Sequence, residues 1–282
     1  MSMPESDKPL RYYRRRRDGG LFRFKRIPVR FLLPNLITLL ALCAGLTAIR
    51  LGFEGRYELA VGAIIFAIVM DAIDGRLARF LKGASKFGAE LDSLCDFVNF
   101  GVAPAVLLYM WSLHDKKNLG WIVALALAVC CALRLARFNV AIDDPDKPAW
   151  MSGFFTGIPA PAGAGLALVP FYMAFLGIIT DGEAAAPFIL PYVALVAVGM
   201  VSRVPTFAGK GSGGRVSREL VLPILAALVG LAVLLIAFTW EVLLAIATLY
   251  IALIPFGIRS YARQKRAWEE RKAAQEPSPE PV

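Results

Sequence analysis

The sequence predicts an all-α fold: a polytopic membrane bundle of about eight transmembrane helices with both termini in the cytoplasm. Three observations carry that expectation. Of 282 residues, 57% are hydrophobic, and mean hydropathy is +0.59, too apolar for a water-soluble chain of this length. Apolar stretches of near-spanning length recur along the chain. Positive charge is distributed unevenly about them.

Residues 1–30 read as a polar, basic cytoplasmic tail containing the run Arg14, Arg15, Arg16 and Arg17, without the apolar core of a cleavable signal. Residues 31–260 form one membrane domain. Its apolar stretches fall at roughly 31–51, 59–80, 93–113, 119–140, 160–180, 187–206, 219–239 and 241–258, each near the ~20 residues that cross a bilayer. Pro34 and Asn35 open the first, with Asn35 suited to cap a helix and Thr38 to bond locally. The second is interrupted by aspartates, and only Thr239, Trp240 and Glu241 separate the last two. Residues 143–148 form a turn-rich linker and 210–215 a flexible basic loop. Residues 261–282 are a second cytoplasmic tail, and its charged, Pro-rich end at 276–281 reads as disordered.

The net charge of +9 invites nucleic acid as a partner, but its placement argues for lipid. With eight spans, the N-terminal side collects ten cations in the first tail, four near 76–86, three at 134–147, four at 203–218 and six at 259–272. The other side holds only Arg50, Arg56, Lys116 and Lys117. That bias places both termini in the cytoplasm. The excess serves topology and contact with anionic lipid, and no nucleic-acid partner is expected. Cys43, Cys95, Cys130 and Cys131 lie inside apolar stretches without C-x-x-C spacing, which reads as free core thiols. The single histidine, His114, falls on the outer side, so histidine chemistry is not expected at the cytoplasmic face.

Against that apolar background stand Asp71, Asp74 and Gly75, then Ala78 and Arg79, then Gly88, Asp92 and Asp96. A carboxylate near hydrocarbon costs about 2.5–3.5 kcal/mol on insertion scales, so four together need neutralising. Asp71 and Asp74 are i, i+3, while Asp92 and Asp96 are i, i+4, so each pair lies on one helix face. Two such faces opposed would present the hard oxygen ligands that Mg²⁺ or Mn²⁺ prefers. Two divalent ions bridged by carboxylates would clamp a transferring phosphoryl group. Gly75 would admit a substrate or a neighbouring backbone, and Arg79 lies one turn on, within reach of a phosphate oxygen. Ala78 and Gly88 suit close helix packing or leave room for a flat ring.

This string resembles the full signature of the CDP-alcohol phosphotransferases, integral membrane enzymes that move a substituted phosphate from a CDP-linked donor to an alcohol. The resemblance implies that Asp71, Asp74 and Asp92 hold the metals. It implies that Asp96 contributes to the site and takes the proton from the acceptor hydroxyl. Gly75, Ala78, Arg79 and Gly88 would shape the nucleotide and diphosphate pocket, with Asn35 and Thr38 beside the nucleotide.

Four further segments resemble the phosphatidylserine synthase branch of that family: 33–38, 134–139, 155–161 and 202–210. The implied substrates are CDP-diacylglycerol and L-serine, and the family also implies a homodimer. Serine brings a carboxylate, so its pocket needs a cation. Arg134, Arg137 and Lys210, with Asn139 nearby, are the candidates, equally suited to the donor phosphate. Glycerol 3-phosphate, an inositol phosphate or a phospholipid remain alternative acceptors. A cation transporter would also place carboxylates among spans, but it needs charges along a path to the far side, and the fifth, seventh and eighth stretches carry almost none.

Overall fold

The computed structural model describes residues 29–81, 85–142, 151, 153–207 and 218–275. The chain begins as an antiparallel helical pair, α1 (Val29–Phe53) and α2 (Tyr57–Phe80). A tight turn joins them, where Glu54 pairs with Arg50 at 2.9 Å and with Arg56 at 3.5 Å. The next column is compound: α3 (Lys86–Asp96), a π-helical turn (Phe97–Val102) and α4 (Ala103–Trp111). In the π turn the Ala103 amide donates to Val98. Pro104 follows and has no amide of its own to restore the tighter pattern. A 3₁₀ turn (Leu113–Lys116) leads into α5 (Lys117–Ile142).

The second half is less regular. The expected span at 160–180 is broken into α6 (Ala160–Ala167) and α7 (Val169–Phe175). The reason is Pro170, which cannot donate to the preceding turn, so the helix stops at Leu168 and restarts. Then come α8 (Gly182–Val201), α9 (Arg218–Ala237) and α10 (Thr239–Gln275). The last helix runs 37 residues. Its final turns, up to Gln275, are rich in the strong helix formers Ala, Glu, Lys and Arg, and the tail end expected to be disordered lies outside the described residues.

Two short strands had no counterpart in the sequence reading. β1 (Phe154–Thr156) pairs antiparallel with β2 (Pro205–Phe207), with Phe155 opposite Thr206. Gly157 closes the pair with φ +79, and a Cβ there would lie 2.5 Å from the Met200 carbonyl. Only glycine meets both conditions.

The architecture is that of an all-α polytopic membrane protein. Among the described residues, five helical stretches are long and apolar enough to cross a bilayer: Leu32–Phe53, Lys86–Trp111, Leu113–Ala141, Gly182–Val201 and Thr239–Arg271. α2 has 24 residues but carries Asp71, Asp74, Arg76 and Arg79 in its last turns, while α6–α7 and the apolar part of α9, Leu222–Ala237, are shorter. Large apolar side chains face outward along the bundle, among them Leu36, Ile122, Val129, Leu195 and Ile236. Such a surface is untenable in water and natural in lipid. Inside, the π-helical column sits close against α1. A Cβ on Gly45 would collide with the Asn99 side chain, and one on Gly52 with Leu107. Small residues on α1 thus let it pack closely against the column that carries Asp92 and Asp96.

Candidate active site

The two aspartate pairs arise from antiparallel neighbours. α2 ends, and α3 begins, at the same end of the bundle, with Ser85 capping α3 by accepting the Gly88 amide at 3.0 Å. α2 runs towards that end and α3 away from it, so Asp71 and Asp96 lie one turn deeper than Asp74 and Asp92. The structure bears this out. Carboxylate oxygens of Asp71, Asp74 and Asp92 fall within 4.8 Å of one another, and the deeper Asp96 meets the Asp71 side chain. Asp74 is buried, with 3% exposure. The Thr38 hydroxyl lies 2.7 Å from its Oδ2 and 3.1 Å from the Pro34 carbonyl. A hydroxyl has one proton, and the shorter contact to a carboxylate is the stronger use of it.

The sequence reading gave all four aspartates to the metals. Here Asp71, Asp74 and Asp92 converge on a common point, and Asp96 adjoins it through its hydrogen bond with Asp71. A helical turn separates the members of each pair by about 5 Å along the axis, so two antiparallel pairs form two levels rather than one point. Among the described residues, no lysine or arginine forms an ion pair with any of the four. Three converging carboxylates without a cationic partner suit a divalent ion, which supplies the missing charge through hard oxygen ligands.

The residues expected around the nucleotide divide by environment. A Cβ on Gly75 would meet nothing within 4 Å, so this face is open beside Asp74. Ala78 is half-buried and Arg79 exposed on the last turn of α2. Gly88 is crowded: a Cβ there would lie 2.9 Å from Asn35 Oδ1 and 3.1 Å from Ser85 Oγ. Its smallness lets α3 approach α1, and it sets Asn35 beside the first turn of α3.

The basic candidates separate more sharply. Arg134 is buried, with 9% exposure. It acts electrostatically on Asp71 and Asp96, with its guanidinium 5.1 Å above the Phe138 ring. Arg137, expected on the same face, instead donates from Nη1 to the carbonyls of Val201 at 2.6 Å and Ser202 at 3.4 Å. It closes the C-terminal end of α8, where unpaired carbonyls attract a cation. Asn139 donates to Ser93 Oγ at 2.9 Å and ties α5 to α3 beside Asp92. In the structure, both side chains fasten helices at this end of the bundle. Lys210 lies outside the described residues.

Thr206 and Tyr250 were not singled out from the sequence. Thr206 is 2% exposed and donates to the Gly157 carbonyl at 2.8 Å. Tyr250, on α10, has a buried hydroxyl without a hydrogen-bond partner and is an electrostatic neighbour of Arg134. The available signal was a phenol inside an apolar span.

An open glycine face, three converging carboxylates and a neighbouring fourth make a site, among apolar helices, that could hold a divalent ion. Comparison with known proteins agrees. The CDP-alcohol phosphatidyltransferase family model matches residues 31–202, and the model described as CDP-alcohol phosphatidyltransferase 2 matches 219–255. The chain belongs to the CDP-alcohol phosphatidyltransferase family. It is 38% identical over 246 residues to the CDP-diacylglycerol–serine O-phosphatidyltransferase of Mycobacterium tuberculosis, covering 85% of this chain and 84% of that protein. A protein of the same name from Helicobacter pylori is 32% identical over 63% of this chain and 73% of its own length. The archaetidylserine synthase of Methanothermobacter thermautotrophicus is 30% identical over 67% of this chain and 76% of its own length.

Proposed function

We propose that the protein transfers the phosphatidyl group of CDP-diacylglycerol to L-serine, releasing CMP and forming phosphatidylserine. The observation that carries this reading is the convergence of Asp71, Asp74 and Asp92 within 4.8 Å, beside the open face of Gly75, in a chain whose relatives bear that enzyme's name. Asp71, Asp74 and Asp92 would hold divalent metal, Mg²⁺ or Mn²⁺. Bound there, the metal would neutralise the diphosphate and favour attack at phosphorus.

The chain's own residues do the rest. Asp96 takes the proton of the serine hydroxyl, the role open to a carboxylate in a site without histidine. The serine oxygen forms its bond to the phosphorus that carries diacylglycerol, and the bond to CMP breaks with its electron pair leaving on CMP. Thr38 fixes the orientation of Asp74. Gly75 leaves space for the nucleotide, Arg79 offers a cation to phosphate, and Ala78, Asn35 and Gly88 bound the same region.

The aspartate end faces the cytoplasm in this reading, supported by the 27 cations on that side against four on the other. A homodimer is part of it too, and crosslinking in native membranes should give a band of doubled mass. The transfer itself is tested by incubating purified protein with CDP-diacylglycerol and labelled serine, with glycerol 3-phosphate and an inositol phosphate as rivals. Label in phosphatidylserine, matched mole for mole by CMP, is expected. Preferential use of either rival would replace serine as the acceptor.

A further inference from the structure

Three segments far apart in sequence bring polar groups to one place beside the aspartates. Arg134 comes from α5, Thr206 from β2 and Tyr250 from α10. The Arg134 guanidinium is an electrostatic neighbour of Asp71, Asp96 and Tyr250. It rests on the Phe138 ring and, among the described residues, donates no hydrogen bond. The Tyr250 hydroxyl is buried and, by hydrogen-bond geometry, unpartnered, with Thr206, which donates its proton to the Gly157 carbonyl, as its polar neighbour. Among the described residues, neither of these two buried groups, one of them cationic, has a hydrogen bond of good geometry. Burying such groups is costly unless something accepts from them.

The missing partner must be an anion made of acceptors. A carboxylate fits the guanidinium fork with two oxygens and leaves lone pairs for a phenol. In serine the carboxylate and hydroxyl lie at opposite ends of three carbons. A carboxylate anchored at Arg134, which neighbours Asp96, therefore brings the hydroxyl to its base. We propose that Arg134 and Tyr250 form the carboxylate-binding end of the acceptor pocket, so that α10 supplies a residue that separates an amino-acid acceptor from an amino alcohol lacking the carboxylate. Phe138 orients the guanidinium, and the β1–β2 pair, braced by the T-shaped contact of Phe154 with Tyr261 at 5.4 Å, seats α10. This inference rests on the phosphatidyl-transfer reading and adds the determinant of its acceptor.

A donor diphosphate offers the same acceptor chemistry, and the test distinguishes the two. In full-length protein, Tyr250→Phe removes one oxygen and keeps the ring. The serine KM should rise on the order of tenfold, as for a lost hydrogen bond to a charged group, with the CDP-diacylglycerol KM and kcat within about twofold. Preference for serine over ethanolamine, measured as the ratio of kcat/KM, should fall by a similar factor. Arg134→Lys keeps the charge and loses the fork, and should raise the serine KM in the same direction. Melting temperatures of both variants show whether the fold is intact. A rise in donor KM in place of serine KM would assign the pair to the diphosphate and overturn the proposal. Wild-type turnover of serine with an unchanged serine KM in folded Tyr250→Phe would overturn it while leaving the transfer reading standing. A wild type that makes no phosphatidylserine would sink both.

Discussion

The two ends of the bundle use polar side chains differently. At the end opposite the aspartates, most are engaged in closing the fold. Ser112, fully buried, donates to the Gly182 carbonyl at 2.7 Å. Asp181 caps α8 by accepting the amides of Glu183 and Ala184. Trp240 donates to Glu58 at 3.2 Å, and Tyr192 to the Leu166 carbonyl at 2.8 Å. Rings of Trp111 and Phe171 lie 4.5 Å apart, and those of Phe175 and Trp240 4.6 Å apart, in a cluster packed on the core. The buried Tyr172 hydroxyl, without a partner, is the exception. At the aspartate end, among the described residues, the carboxylates form no ion pair, and Arg134 and Tyr250 form no hydrogen bond of good geometry. Polar groups that stabilise a fold find partners within it. Groups that serve a ligand wait for theirs.

The comparison can be broken first at the carboxylates. Asp71→Asn and Asp92→Asn should each lower turnover on the order of a thousandfold, since several kcal/mol of charge stabilisation goes with the metal. Calorimetric Mn²⁺ binding should be lost while the melting temperature holds or rises, because removing one of several crowded like charges relieves repulsion. A variant that melts early but binds metal normally would make these aspartates structural. Asp96→Asn should cut kcat about a hundredfold or more while keeping most of the affinity for CDP-diacylglycerol, and near-normal catalysis would remove its role as base.

Smaller effects belong to the fold. Gly157→Ala must place a Cβ at positive φ against the Met200 carbonyl, which should cost about 1–3 kcal/mol of stability, read from chemical denaturation. Arg137→Ala should cost about 1.5–3 kcal/mol through its lost bonds to the end of α8, with the serine and donor KM values of the folded protein unchanged. A selective rise in serine KM would return Arg137 to the acceptor pocket. Asp181→Ala should cost about 1 kcal/mol and leave turnover intact.

Features encoded locally were legible in the sequence, and those made by distant contacts were not. The aspartate pairs were readable because i, i+3 and i, i+4 spacing alone sets a helix face. Their division into two levels needed the opposed directions of α2 and α3. Arg134 and Arg137 share a face by spacing, yet only the position of the α8 terminus shows that Arg137 is engaged by it. The pairing of Phe154–Thr156 with Pro205–Phe207 joins segments both noticed for their resemblance, but three-residue strands carry no period to reveal a partner. Pro170 was visible as a helix breaker, and the apolar run around it still read as one span. Tyr250 was hidden because a phenol in an apolar helix looks like any packed aromatic until its hydroxyl is seen without a partner.

The account's central claim is that the Asp71, Asp74 and Asp92 cluster is a divalent-cation site on which phosphatidyl transfer depends. The most direct test is CMP release from CDP-diacylglycerol and serine by metal-stripped protein, with Mn²⁺ or Mg²⁺ titrated back. We expect no turnover in excess chelator, full recovery on return of metal, and CMP equal to the phosphatidylserine formed. Undiminished turnover in excess chelator would contradict the claim.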